Sequence, residues 1–311
     1  MKLSPKLQGN LLMLFIMCLF GINIPINKYL YAEGFISPYG MTALRMTFAA
    51  VTFWLASLFL PKEKVTRKDL LTLFAGGLFG MLINQCLFAY GLNQTSPVDA
   101  SIITTSSPLF AMIIAAIVLK EPITMKKTGG VLLGGAGAIF LIYSSHTVSV
   151  GQGDNLKGDL AILSAQIFYS TYLVITRPLA SKYSSLTMMK WMFLFSAAFA
   201  LPAFGQEILN APLIQYREST TPFAAISFAL IAATFLTYLL IPVAQRRIRP
   251  TTMSMYNNVQ PIIAAMVAIY IGQDKFTIEK LIAAVLIFGG VYFVTISKSR
   301  EDMLQKEDKV K

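Results

Sequence analysis

Arg45 is the only lysine or arginine well inside an apolar run of this 311-residue chain. A cation about two helical turns into such a run is a functional group by default. It either answers a carboxylate or phosphate on a bound molecule, or it reaches outward and pairs with helix-end carbonyls. Other side chains able to hold a ligand sit inside apolar runs too: Asn23, Asn84, Gln85, Gln166, Tyr169, Tyr172, Thr234, Thr237 and Tyr238. Their chemistry is recognition by hydrogen bond and ring stacking. The acidic residues Glu33, Asp99, Asp154, Asp159, Glu207, Glu218, Asp274 and Glu279 fall at the ends of the runs or between them. A mid-run carboxylate relay for protons is therefore not expected. There is one histidine, His146, and two cysteines, Cys18 and Cys86, both within apolar runs. That set offers no metal-ligand spacing and no serine–histidine arrangement, so neither catalytic residues, a metal nor a cofactor is expected.

Two prolines organise the polar residues. Ser107-Pro108 and Gln260-Pro261 each interrupt an apolar run, 153 residues apart. Proline cannot donate to the carbonyl four residues earlier, which here belongs to Thr104 in one copy and Asn257 in the other. Thr104 stands in the polar cluster Ser101 to Ser107, and Tyr256, Asn257 and Gln260 form its counterpart. Freed backbone at membrane depth is tolerated where it is buried in protein or lines a wet cavity. Both kinked segments are expected to face one another across a central cavity. The expected binding residues are Asn23, Arg45, Asn84, Thr104, Tyr169, Tyr172, Tyr238, Tyr256, Asn257 and Gln260, with helix kinks at Pro108 and Pro261.

The 153-residue offset extends beyond the prolines. It relates Pro97 to Pro250, Ser101 to Ser254, Ala111 to Ala264, Ala115 to Ala268, Lys127 to Lys280 and Gly137 to Gly290. The chain is one unit written twice, expected at residues 1–150 and 151–311. Duplicated membrane halves are how many secondary transporters are built, with the substrate site between the repeats.

The elements that carry these residues must be membrane helices. The chain is 55% hydrophobic and 13% charged, with mean hydropathy +0.62, against about 25% charged residues in soluble domains. Runs long enough to span a bilayer, roughly 17–25 residues, occur at about 9–30, 38–60, 70–92, 97–119, 127–145, 157–177, 186–205, 222–244, 251–271 and 277–297. The first reads as a retained helix, without a small-residue cleavage site after a short apolar core. With the N-terminus in the cytoplasm, 20 of the 26 lysines and arginines fall on the cytoplasmic side and five on the other. That is a strong positive-inside bias. The net charge of +11 therefore matches anionic lipid headgroups, and no nucleic acid partner is expected. Five spans per half is an odd number, so the halves must be inverted. The expected fold is an all-α membrane protein of ten transmembrane helices in an inverted 5+5 repeat, both termini cytoplasmic. Gly76 with Gly80, Gly130 with Gly134, and Gly289 with Gly290 are read as close helix-packing positions.

The motifs resemble those of the EamA-type transporters of the drug/metabolite transporter superfamily. The first-helix pattern there, an aromatic, a small residue and a lysine near the helix end, corresponds to Phe20-Gly21 through Lys28. Tyr169-Ser170 through Arg177 repeats it at an offset of 149. Leu44-Arg45-Met46 is similar to the second-helix pattern, and Pro108-Leu109-Phe110 with Lys120-Glu121 to that of the fourth helix. Phe20 and Tyr169 depart from the family's usual tryptophan. The resemblance implies a ten-helix carrier in the cytoplasmic (inner) membrane, working by alternating access and moving small metabolites, most often exporting amino acids. The amide- and tyrosine-rich cavity with Arg45 fits an amino acid first and an organic anion second. A membrane-embedded enzyme is the competing class. The expected partners are a small-molecule substrate and the lipid bilayer, and the unit can act as a monomer.

Overall fold

Serine and threonine stand at the starts of several helices and satisfy the amide groups that no helical carbonyl can reach. Ser37 accepts from Gly40 N and precedes Pro38, Ser96 accepts from Asp99 N and precedes Pro97, and Ser184 accepts from Thr187 N. In a bilayer core every backbone polar group must be satisfied within the protein, which makes the helix the unit of construction here. A computed structural model describes residues 5–118, 125–148, 155–180, 182–212, 220–245, 247, 256, 259–275 and 277–295. The described residues form helices and their connections, without strands.

The helices are α1 (Pro5–Ala32), α2 (Pro38–Ser57), α3 (Arg67–Gln94), α4 (Pro97–Val118), α5 (Met125–Val148), α6 (Asn155–Ala180), α7 (Ser185–Leu209), α8 (Thr220–Ser227 continuing through Phe228–Leu236 and Thr237–Gln245), α9 (Val259–Tyr270) and α10 (Ile278–Thr295). Among the described residues, six stretches are long and apolar enough to cross a membrane: Leu7–Ala32, Arg67–Gln94, Pro97–Val118, Leu156–Ala180, Ser185–Leu209 and Thr220–Ile241. Large apolar side chains such as Leu55, Ile117, Leu132, Ile139 and Val285 face outward. That is the pattern of a surface solvated by lipid.

The helices pair as two related sets. α1 packs on α9 and α6 on α4, while α2 packs on α7 and α5 on α10. Exchanging the two halves maps this pattern onto itself. α1 ends at Lys28–Ala32 beside the start of α6, whose Asp159 reaches the end of α3 through Thr95. At the opposite end, Asp69 at the start of α3 meets Lys182 and Tyr183 after α6. α1 and its repeat partner α6 thus begin at opposite ends of the bundle, the Lys28 end and the Asp69 end.

Close helix contacts fall where glycine removes a side chain. A Cβ on Gly290 would lie 2.5 Å from Gly130 O and 2.5 Å from Gly134 N, so α5 and α10 touch backbone to backbone. A Cβ on Gly80 would lie 2.3 Å from the Tyr172 ring. The largest apolar cluster, including Leu30, Leu92, Val98 and Ile103, gathers around the Lys28 end. A second centres on Phe53 and Phe193, stacked at 5.6 Å.

Two helices contain a π-helical segment, Gly77–Ile83 in α3 and Phe228–Leu236 in α8. Their last residues are related by the same 153-residue offset as the prolines. Each segment is followed at once by polar residues, Asn84-Gln85 in one copy and Thr237-Tyr238 in the other. π-Bulges are frequent at functional sites because they re-aim the residues around them.

Candidate functional site

α4 breaks in its middle. Thr105 N and Ser106 N bond to carbonyls three residues back, Ile102 and Ile103, and a new helix starts at Ser107. The hydroxyls of Thr105 and Ser106 donate to the same two carbonyls at 2.7 Å each. The break lies beside a cavity of about 150 Å3 at the centre of the bundle. Ser107 O accepts from the Ser170 hydroxyl of α6 at 2.8 Å, fixing the kinked segment to the other half.

Arg45 enters the cavity from α2 and is 7% exposed. Its Nε donates to Thr234 Oγ1 of α8 at 3.0 Å and its Nη1 to Gln85 Oε1 of α3 at 3.0 Å. It does not reach outward, and its partners are side chains, not helix-end carbonyls. Thr234 lies within one π segment and Gln85 just after the other, one from each repeat. A guanidinium carries five N–H donors, and two are engaged, which leaves three. None of the cavity-lining residues is acidic, and no carboxylate among the described residues lies within ion-pair distance of Arg45.

Seven of the expected binding residues line this one cavity: Asn23, Arg45, Asn84, Thr104, Tyr169, Tyr238 and Gln260, together with both kink prolines, Pro108 and Pro261. Asn84 is partly committed, since its Nδ2 donates to Ala165 O at 2.8 Å. The Oδ1 of Asn23 is buried with no hydrogen-bond partner. Tyr172 does not line the cavity. Its ring fills the space left by Gly80 and Gly76 on α3, which the glycine spacing and the tyrosine only foretell together. Tyr256 packs in the cluster of Met13, Ile16, Met17 and Ala244 towards the Asp69 end. Asn257 lies outside the described residues. Gln85 and Thr234, absent from the expected binding set, are brought to the centre because Arg45 bonds to both.

Lys28 stands in the last turns of α1 and turns towards the end of α3. Its Nζ donates to Leu92 O, Asn93 O and Thr95 O at 2.9–3.0 Å. These carbonyls end α3 and have no amide partner within their own helix, so the ammonium caps it. Asp99 and Asp159 do lie at helix ends, as their positions in sequence require, but both are buried rather than in loops.

A helical bundle of two related halves, with a polar cavity between them and an apolar exterior, is the architecture of a multi-pass membrane carrier. The chain belongs to the EamA-like transporter family: the family's model matches it twice, at residues 7–143 and 156–296. Its relatives are transporters of the drug/metabolite transporter superfamily. The uncharacterized transporter YyaM of Bacillus subtilis (strain 168) is 24% identical over 267 residues, covering 85% of this chain and 87% of that one. A WAT1-related protein of Arabidopsis thaliana is 21% identical, covering 96% and 94%. A solved crystal structure superposes with a TM-score of 0.60 at 18% identity, over 94% of this chain and 97% of its own, and shows the same fold.

Proposed function

We propose that the protein is a secondary transporter of small carboxylate-bearing metabolites, first of all amino acids, and that Arg45 is the substrate's counter-ion. The observation that carries this reading is a buried guanidinium in the central cavity with three N–H groups unused and no acidic residue beside it. A buried charge without a partner is costly, and a carboxylate bound through two parallel N–H bonds is the geometry guanidinium favours. Asn23, another residue lining the cavity, has a buried Oδ1 without a hydrogen-bond partner, an acceptor that supports a second, donor-bearing group such as an ammonium. A cavity of about 150 Å3 is small against the roughly 300–1,000 Å3 of ordinary ligand pockets, which favours compact metabolites. The substrate set is Asn23, Arg45, Asn84, Thr104, Tyr169, Tyr238 and Gln260, with Asn257 added from the repeat. An organic anion without an ammonium is the second reading, and it rests on the same arginine.

In this reading ten spans form an inverted 5+5 repeat in the cell's cytoplasmic membrane, with both termini cytoplasmic and the Lys28 end outside. The two halves rock about the cavity to expose it to each side in turn. The kinks at Pro108 and Pro261 keep polar backbone available at its walls. The test is counterflow in proteoliposomes holding the purified chain, with a labelled amino-acid mixture in one arm and organic acids in the other. Saturable exchange in the first arm, lost in Arg45→Ala, is expected. Exchange only of amines lacking a carboxylate, or flux indifferent to Arg45→Ala, would overturn it.

A further inference from the structure

The Lys28 end of the bundle holds a buried charge cluster that the cavity does not use. It contains three acids, Asp99 on α4, Asp159 on α6 and Asp274 before α10, and two lysines, Lys28 on α1 and Lys280 on α10. An ammonium has three donors. Lys28 spends its three on the carbonyls that end α3. Lys280 is shared among Asp274 at 2.9 Å, Ser96 Oγ at 3.1 Å and Asp99 at 3.3 Å. Asp159 is left with one hydroxyl, Thr95 Oγ1, which lies 2.6 Å from its Oδ1. Its Oδ2 has no hydrogen-bond partner, and the residue is completely buried. No lysine or arginine among the described residues is within ion-pair distance of it. The charges acting on it from the helices around it are Asp99 and Lys280.

With all five groups ionised the cluster carries one excess negative charge, and a single proton removes it. An ionised carboxylate without a cation is the costliest state of a buried group, and such groups neutralise instead. The repeat bears on this. At the offset of 149 that pairs α1 with α6, Asp159 corresponds to Asn10, a neutral amide with an oxygen likewise buried and unpartnered. One end of the bundle thus has a side chain that can gain and lose a proton where its repeat has one that cannot.

We propose that Asp159 is a proton-binding site that couples closure of the Lys28 end to pH. The carboxyl takes one proton from the aqueous phase at that end as the helix ends close over it. It returns the proton to the same phase when Thr95, Asp159 and Lys280 separate. No proton crosses the membrane in this step, and acidity at the Lys28 end favours the closed arrangement described here. This deepens the transporter reading and rests on it for what the closure serves; the site itself is tested without transport.

The experiment uses the full chain in lipid nanodiscs and two readouts. Infrared difference spectra between acid and alkaline buffer should show a carboxylic-acid band in the wild type at neutral pH that is missing in Asp159→Asn. Spin labels at the exposed positions 157 and 275, in a background with Cys18→Ala and Cys86→Ala, should report a short distance at acid pH and a longer population at alkaline pH. Asp159→Asn should hold the short distance at both. If the wild type shows no protonated buried carboxyl at neutral pH, the proposal fails without recourse to any variant. A band retained in Asp159→Asn, or a distance change that survives it, overturns it as well. Neither readout involves a substrate, so failure of the amino-acid reading would leave both results standing.

Discussion

Arg45 on α2 is bonded to Thr234 on α8, and the Thr234 hydroxyl in turn donates a hydrogen bond to Ala229 O, five residues back in the π segment. The widened turn gives that hydroxyl a carbonyl to donate to, and so fixes its lone pairs towards Arg45. Gln85, just after the π segment of the other repeat, holds the second nitrogen. One cation is thereby positioned by the same backbone irregularity in both halves.

If the guanidinium receives a substrate carboxylate, its removal should cost far more than removal of one positioning bond. Arg45→Ala should abolish saturable flux. Thr234→Val deletes the bond to a retained cation, worth about 1.5–3 kcal/mol, along with the hydroxyl's own bond to Ala229 O, and should raise KM by about ten- to a hundredfold. Arg45→Lys keeps the charge but loses the fork and should fall between the two. Transport kinetics in proteoliposomes give all three values.

The α5–α10 contact leaves no room for a methyl group. Gly290→Ala drives a Cβ to 2.5 Å from backbone atoms of Gly130 and Gly134, and backbone cannot swing aside as a side chain would. Thermal unfolding in detergent should show a loss of at least about 1–3 kcal/mol. Gly129→Ala, one residue from Gly130 but open to its surroundings, should be neutral or stabilise the helix by about 0.5–1 kcal/mol.

Lys28→Met should lower stability while leaving substrate affinity in place. Three carbonyls at the end of α3 lose their donor together, and an unsatisfied buried acceptor costs about 1–3 kcal/mol. The residue is not part of the cavity lining. Unfolding midpoints paired with KM measurements separate the two effects; a KM that rises with unchanged stability would place Lys28 at the substrate instead.

The connection Glu63 makes to the start of α7 has a pH signature. Burial alone would raise the Glu63 carboxyl, but bonds from Thr187 and from the Ser184 amide and hydroxyl, with Lys190 nearby, outweigh it and hold the group below its usual range. A carboxylate with a lowered value in the folded state stabilises above its unfolded value, near pH 4.3, and loses that contribution as pH falls through the lowered folded value. Glu63→Gln should therefore be slightly less stable than the wild type at pH 7. The difference should shrink progressively below about pH 4.3. The effect should remain under about 1 kcal/mol because the pair is at the surface, and unfolding curves at pH 7 and pH 3 are the check.

The site was legible where a residue type is costly in an apolar run and therefore selected for a reason. Arg45, Asn23, Asn84, Thr104, Gln260 and the two prolines stand out in the chain on that ground, and the structure gathers them at one cavity. Tyr172 and Tyr256 stand out equally and pack elsewhere, since a tyrosine in a helix is also a large apolar body that fills a gap beside glycine. The π segments left no mark in composition, because each is an ordinary apolar stretch. In the fold, Ser196 reaches Gly77 O, at the start of the first, at 2.9 Å.

What the sequence by itself determined is the class: the apolar length of its runs requires lipid, the 153-residue offset requires a duplicated unit, and Arg45 stands out as a cation inside an apolar run. Those properties are local or periodic, so they survive reading one residue at a time. The tertiary structure alone decided which polar groups are spent on the protein and which remain for a ligand. Lys28, a lysine near a helix end, is used up on three carbonyls, whereas Asp159, an acid near the end of an apolar run, is buried with a free oxygen. Thr95 and Asp159 are 64 residues apart, Ser96 and Lys280 are 184 apart, and a hydrogen bond exists only once packing has brought its two halves within 3 Å or so.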